Sequence, residues 1–225
     1  MQYQIPMISI EILNFLTDLK ANNNREWFLA NKKRYDKVKA DFEHFVGQAI
    51  LAIGTFDNDI KYLEVKDCTY RINRDVRFSN DKSPYKTNMG AYLVKEGKKS
   101  PYAGYYMHLE SKECMLGGGI YMPLPENLKK IRQGICDNID EFNTLITNPS
   151  FTKYFKTLEG DKLKSFPKDF PKDEKLDVIK YKNFFVSRPI PIDLVTSNLY
   201  LTEIVETFKA LKPFNDFMNN CLIDG

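Results

Sequence analysis

Met89–Tyr121 reads MGAYLVKEGKKSPYAGYYMHLESKECMLGGGIY, and its punctuation decides the fold. Three strand-like runs rich in Tyr, Val or Ile, at Met89–Lys95, Ala103–Glu110 and Glu113–Tyr121, are separated by Gly97, Pro101 and the Ser111-Lys112 pair. Such side chains favour a pleated backbone, and connections this short join antiparallel neighbours, so the stretch predicts a meander. A run at Cys68–Asn73 predicts a strand ahead of it, and Asn183–Arg188 (NFFVSR) a further strand behind it.

Helical periodicity surrounds these strands. Ser9 reads as an N-cap, with Ile12, Leu13, Phe15, Leu16 and Leu19 spaced for a helix to about Ala21. Asn22-Asn23-Asn24 stop it and cap a second, long helix through Trp27, Phe28, Tyr35, Phe42, Val46 and Ile53, broken off near Gly54. The pair is expected to lie antiparallel over the sheet. Pro123 and Pro125 open a helix through Leu128, Ile131 and Ile135, followed by a second piece with Ile139, Phe142, Leu145 and Ile146 before Pro149. Phe151–Lys175 is basic and proline-punctuated, a short helix and then an irregular wrap anchored by Leu163, Phe166 and Phe170. Thr196 or Ser197 caps a last helix through Leu199, Ile204, Phe208 and Leu211, which Pro213 stops or kinks. The fold class that follows is α+β: a central antiparallel sheet covered by N-terminal and C-terminal helices, one domain over residues 1–225.

Composition bounds the function. A net charge of +3 is too mild to mark a nucleic-acid binder by itself. Its distribution is uneven: between Arg71 and Lys99 eight cations face three anions, a local +5 that leaves −2 for the rest of the chain. Cys68, Cys114, Cys136 and Cys221 form no CxxC pair and no basic apolar leader is visible, so a reduced, cytoplasmic protein is expected. No stretch approaches the roughly 18 apolar residues of a spanning helix, and no membrane partner is expected.

The charge centres on RINRDVRFSNDKSPY, Arg71–Tyr85. Arg71, Arg74 and Arg77 beside Asp75, then Asp81-Lys82 and Pro84-Tyr85, carry more ionic chemistry than a core strand can satisfy alone. Arg71, Arg74, Asp75, Arg77, Phe78, Asp81, Lys82 and Tyr85 match the RxxRDxRFxxDKxxY signature of a mainly bacterial family, catalogued as domain of unknown function 2461, which the chain resembles. The likeness extends to NNNREWF at Asn22–Phe28, YKTN at Tyr85–Asn88, AGYY at Ala103–Tyr106, GGGIY at Gly117–Tyr121 and LKPF at Leu211–Phe214. The resemblance brings no mechanism with it.

If Arg71–Phe78 is extended, alternation places Arg71, Asn73, Asp75 and Arg77 on one face and leaves Arg74 on the apolar one, where it needs a carboxylate, backbone carbonyls or a bulge. Arg71 and Arg77 flanking Asp75 would keep N–H forks for a phosphate or carboxylate. Lys82 and Lys86 can address the same anion, and the Tyr85 hydroxyl either donates to it or leaves its ring packed under the loop. The expectation is an arginine-rich cleft for an anionic, phosphate-bearing small ligand. In an enzyme version Asp75 or Asp81 transfers the proton. The rivals are a module that binds the backbone of single-stranded nucleic acid and stacks bases on Tyr102, Tyr105 and Tyr106, a protein-binding module, and a structural ion-pair network with no ligand.

His108 shares a face with Tyr106 and Glu110, positioned either to contact the ligand and move a proton or to serve as a plain sheet-surface histidine. No cysteine is arranged to be activated, no Cys/His cluster suggests zinc, and a divalent cation between Asp75 and Asp81 would be repelled by the arginines. Gly117-Gly118-Gly119 is not followed directly by a helix, so neither a P-loop nor a dinucleotide fingerprint is present and no cofactor is assigned.

Overall fold

The computed structural model describes residues 7–223. The domain boundary residues 1–6 and 224–225 lie outside them. Ser9 accepts from the Glu11 amide and starts α1 (Ile10–Ala21). Asn24 caps α2 (Arg25–Ala30) by accepting from the Trp27 amide at 2.9 Å. The single long helix expected here is broken at Asn31, whose side-chain amide donates to the Trp27 carbonyl at 2.9 Å, and α3 (Lys32–Ile53) starts anew beyond it. Local competition of an Asn side chain for helix carbonyls is the physical reason. Arg34 then ties α3 to α1, with Nε 2.6 Å from Glu11 and Nη1 2.6 Å from Asp18.

Residues 65–68 form a helical turn, α4 (Val65–Cys68), not the start of a strand. The strand expected at Cys68–Asn73 is absent as such. Its residues run beside the sheet edge through isolated bridges, Thr69 with Ala91 and Asn73 with Tyr85. Four residues on one side span six on the other, so the ladder cannot stay in register and the alternation expected for Arg71–Phe78 does not hold.

The meander is present as expected: β1 (Asn88–Leu93), β2 (Gly104–Glu110) and β3 (Cys114–Ile120) pair antiparallel in sequence order. The chain then leaves through α5 (Pro125–Asp137), α6 (Ile139–Thr147), α7 (Pro149–Thr152), an irregular wrap and a 3-10 turn at Glu174–Lys180. It returns as β4 (Phe184–Ile190), antiparallel to β3. After the short α8 (Ile192–Val195), α9 runs from Tyr200 to Ile223.

Of the stop or kink expected at Pro213, the stop does not occur, and α9 continues through it to Ile223. Pro213 lies on the exposed side, where it cannot donate to the Lys209 carbonyl, while Phe208, Leu211, Phe214 and Met218 continue the buried ridge. That ridge lies against β3 and α3, and α1 and α3 complete the cover over β2 and β1. Met89, Ala91, Leu93, Tyr105, Met107, Leu109, Leu116 and Val186 face these helices within one continuous core. The architecture is the expected α+β domain, with N-terminal and C-terminal helices on one face of the sheet. Among the described residues no helix is long and apolar enough to cross a membrane.

Candidate functional site

Because β-strand side chains alternate, the residues between the core positions point away from the helices. Asn88, Gly90 and Tyr92 of β1, Tyr106 and His108 of β2, Met115 of β3 and Phe185 of β4 floor an open cleft of about 1010 Å³. Lys86 and Tyr70 edge it beside β1, Lys98–Tyr102 close one end, and Tyr121–Leu124 with Asn183 form the far wall. Glycines deepen the floor. A Cβ on Gly90 would lie 2.8 Å from the Tyr106 hydroxyl, and one on Gly117 would lie 2.9 Å from the Phe185 ring, so aromatic rings occupy the space side chains would have filled.

Lys86 lines this hollow together with Lys98 and Lys99. The Lys86 ammonium lies 5.2 Å from the Tyr70 ring centroid and has no carboxylate or hydrogen-bond partner among the described residues. Burial, with Arg71 second, holds its pKa below the usual lysine range. Arg71 is exposed and likewise makes no ion pair.

A hydrogen-bonded chain crosses the floor. The Tyr106 hydroxyl and the Asn88 amide each lie 3.0 Å from His108 Nδ1, which makes that nitrogen the acceptor and places the ring proton on Nε2, 3.5 Å from Glu110 Oε2. Glu110 is anchored in turn by Lys20 at 3.0 Å and Thr87 at 3.2 Å. Burial pushes the Tyr106 phenol up to about 12 and pushes His108 down, against the opposing pull of Glu110. Burial pushes Glu110 up, but Lys20, His108 and Thr87 together outweigh it and hold the carboxyl below its usual range.

The sign of the pH dependence follows. A histidine harder to protonate folded than unfolded stabilises the protein above its ordinary value of 6.5, and that stability is lost as pH falls through the depressed folded value. Glu110, also depressed, adds to the loss below its ordinary 4.5. Urea unfolding from pH 8 to pH 4 is expected to show the midpoint falling on acidification, with a flatter profile in His108→Gln just below about pH 6.5.

The structure separates the residues the sequence grouped together. Arg74 pairs with Asp81 and donates to the Ser83 carbonyl at 3.2 Å, while Arg77 pairs with Asp75 at 2.7 Å. Asp81 is held at about 2 by Ser83 and then Arg74, and Asp75 is held low by Arg77. Lys82 donates to the Val76 carbonyl at 3.0 Å. This loop satisfies its own charges outside the cleft lining, with the Phe78 ring exposed at its tip. Tyr85 lies in the core, its ring stacked on Phe28 at 3.9 Å and its backbone held both ways by the Asn23 amide. Tyr105 also faces the helices, against Phe208 at 4.9 Å, and offers no stacking surface to a nucleic acid. Lys86 and His108 line the cleft, as do Tyr102 and Tyr106 of the stacking alternative. Asn88, Gly90, Tyr92 and Phe185 were missed there, although the alternation of Lys86, Asn88, Gly90 and Tyr92 opposite Met89, Ala91 and Leu93 marks the first three. Among the described residues no group of three or more His, Cys, Asp or Glu is placed to hold a metal ion.

A family model described as conserved hypothetical protein (DUF2461) matches residues 11–217. The chain belongs to this family. Within the DUF2461 match lie the arginine loop, all four strands and the whole floor of the cleft. No curated protein and no solved structure matches the chain.

Proposed function

We propose that this DUF2461 protein binds a small anionic ligand, phosphate-bearing or carboxylate, over the open face of its sheet. The observation that carries the reading is the Lys86 ammonium: half-buried beside an aromatic hollow, repelled by Arg71 and without a counter-charge. A desolvated cation without a counter-charge is costly, and an anion bound against it relieves that cost. Tyr70, Tyr92, Tyr106 and Phe185 supply apolar and aromatic surface around it, as small-molecule sites do. Arg71 adds its charge to that of Lys86, while Arg74 and Arg77 stay with their carboxylates. A reducing cytoplasm is the compartment this reading takes, in keeping with the thiols of Cys68 and Cys114, both buried and pushed up by burial.

Titration calorimetry with phenyl phosphate, inorganic phosphate and a short single-stranded oligonucleotide tests the reading. Phenyl phosphate is expected to bind, and Lys86→Met to weaken it about tenfold or more, the worth of one charge-assisted hydrogen bond. Arg77→Met is expected to leave that affinity unchanged. Binding of the oligonucleotide alone, with a steep loss on added salt, would instead favour a nucleic-acid module.

A further inference from the structure

We propose that Tyr106 is a catalytic hydroxyl, with His108 as the base that takes its proton and Glu110 as the group that orients His108, acting on an acyl carbonyl bound in the cleft. Three residues at i, i+2 and i+4 of one strand place hydroxyl, imidazole and carboxylate in line, at 3.0 Å and 3.5 Å. The order of the contacts matters. Nδ1 accepts from the phenol and Nε2 faces the carboxylate, so an imidazolium formed on proton uptake would be held by Glu110.

Two further features favour a reacting group over a buried polar cluster. His108 Nδ1 has one lone pair and two donors, so the Tyr106 hydroxyl is not locked by the bond it shares with Asn88. Asn88 also keeps a second amide N–H with no partner among the described residues, a neutral donor suited to oxygen charge developing on a carbonyl. Gly90 lets the Tyr106 ring and hydroxyl settle against β1, where a Cβ would fall 2.8 Å from the oxygen. These neighbours are uncharged, which suits an ester or thioester carbonyl. The phenol stays protonated at neutral pH, and attack requires its proton to pass to His108 as the bond forms.

The step balances as acyl transfer. Tyr106 Oη bonds to the acyl carbon, its proton moves to His108 Nδ1, and the carbon–oxygen or carbon–sulfur bond to the leaving group breaks with its electron pair. The inference shares the cleft with the anion reading but does not rest on it, and a neutral probe keeps the two apart.

Incubation with 4-nitrophenyl acetate, followed by peptide mass spectrometry, reads the acetyl-Tyr106 ester directly. Tyr62, 83% exposed, is the internal reference for an unassisted phenol. Acetylation of Tyr106 at least tenfold faster than of Tyr62 is expected, with that excess lost in His108→Gln and reduced in Glu110→Gln while Tyr62 is unchanged. The wild-type pH profile supplies a second reading should His108→Gln fail to fold. Base assistance makes the Tyr106 rate rise through the His108 titration, below about pH 6.5, and then level off, whereas that of Tyr62 climbs towards phenol ionisation. Tyr106 acetylated no faster than Tyr62, an excess that persists in folded His108→Gln, or a rate that tracks Tyr62 at every pH overturns the assignment.

Discussion

Tyr85→Ala is expected to lower the free energy of unfolding by about 3–5 kcal/mol, as loss of a large buried ring does. Tyr85→Phe is expected to leave it within about 0.5 kcal/mol. Only 6% of the residue is exposed, its ring stacks on Phe28, and its backbone is the point where Asn23 ties the connection between α1 and α2 to the arginine loop. The phenol oxygen has no hydrogen-bond partner among the described residues, so its removal costs little. Urea denaturation of the two variants separates ring from hydroxyl. A Tyr85→Phe protein that keeps its stability but loses phenyl phosphate would show the hydroxyl to be a ligand contact, against the structure's placement of it.

Gly118→Ala is expected to destabilise by about 3 kcal/mol or more, at or beyond the upper end of ordinary overpacking. Its Cβ would fall 2.2 Å from the Gly104 carbonyl oxygen and 2.6 Å from a Leu211 methyl. The first of these is the neighbouring strand's backbone and the second is the helix packed on the sheet, so neither yields without parting β2 from β3 or lifting α9. An alanine that fits a strand usually stabilises slightly by restricting the unfolded chain, so the sign here is set by sterics alone. Thermal unfolding reads the effect, and a variant within about 1 kcal/mol of wild type would contradict the packing of α9 on β3.

The glycine run shows where sequence reasoning reaches and where it stops. Glycines within a strand permit a bulge or a close approach of another backbone, and Gly118 provides the approach, yet only the register reveals that Gly117 lies under Phe185 on the opposite face. Helix caps at Ser9 and Asn24 were legible because they are local hydrogen bonds of a known kind. The break at Asn31 was not, because an Asn between two helical faces suits a surface position equally well. Pro213 does not end α9 because a buried ridge on the other side of the same helix outweighs its local preference.

The ionic character of Arg71–Tyr85 was legible in the sequence, and the pairing of its charges was not. Arg71, Arg74 and Arg77 announce ionic business, but that Arg74 and Arg77 are taken by Asp81 and Asp75 while Arg71 is not depends on how the loop turns back through Asp81 and Ser83, a tertiary matter. The face-sharing of Tyr106, His108 and Glu110 was readable from period-two alternation. Their partner Asn88 was not, since pairing of Asn88 with Glu110 and Gly90 with His108 requires the register of β1 on β2.

Amide chemical-shift mapping with phenyl phosphate tests the central claim most directly, because it asks where an anion sits before asking what happens to it. The account predicts saturable shifts at Lys86, Asn88, Gly90, Tyr106 and His108, abolished by Lys86→Met, with Arg74, Arg77 and Asp81 silent. Shifts confined to the Arg74–Lys82 loop with an unresponsive sheet face would contradict it.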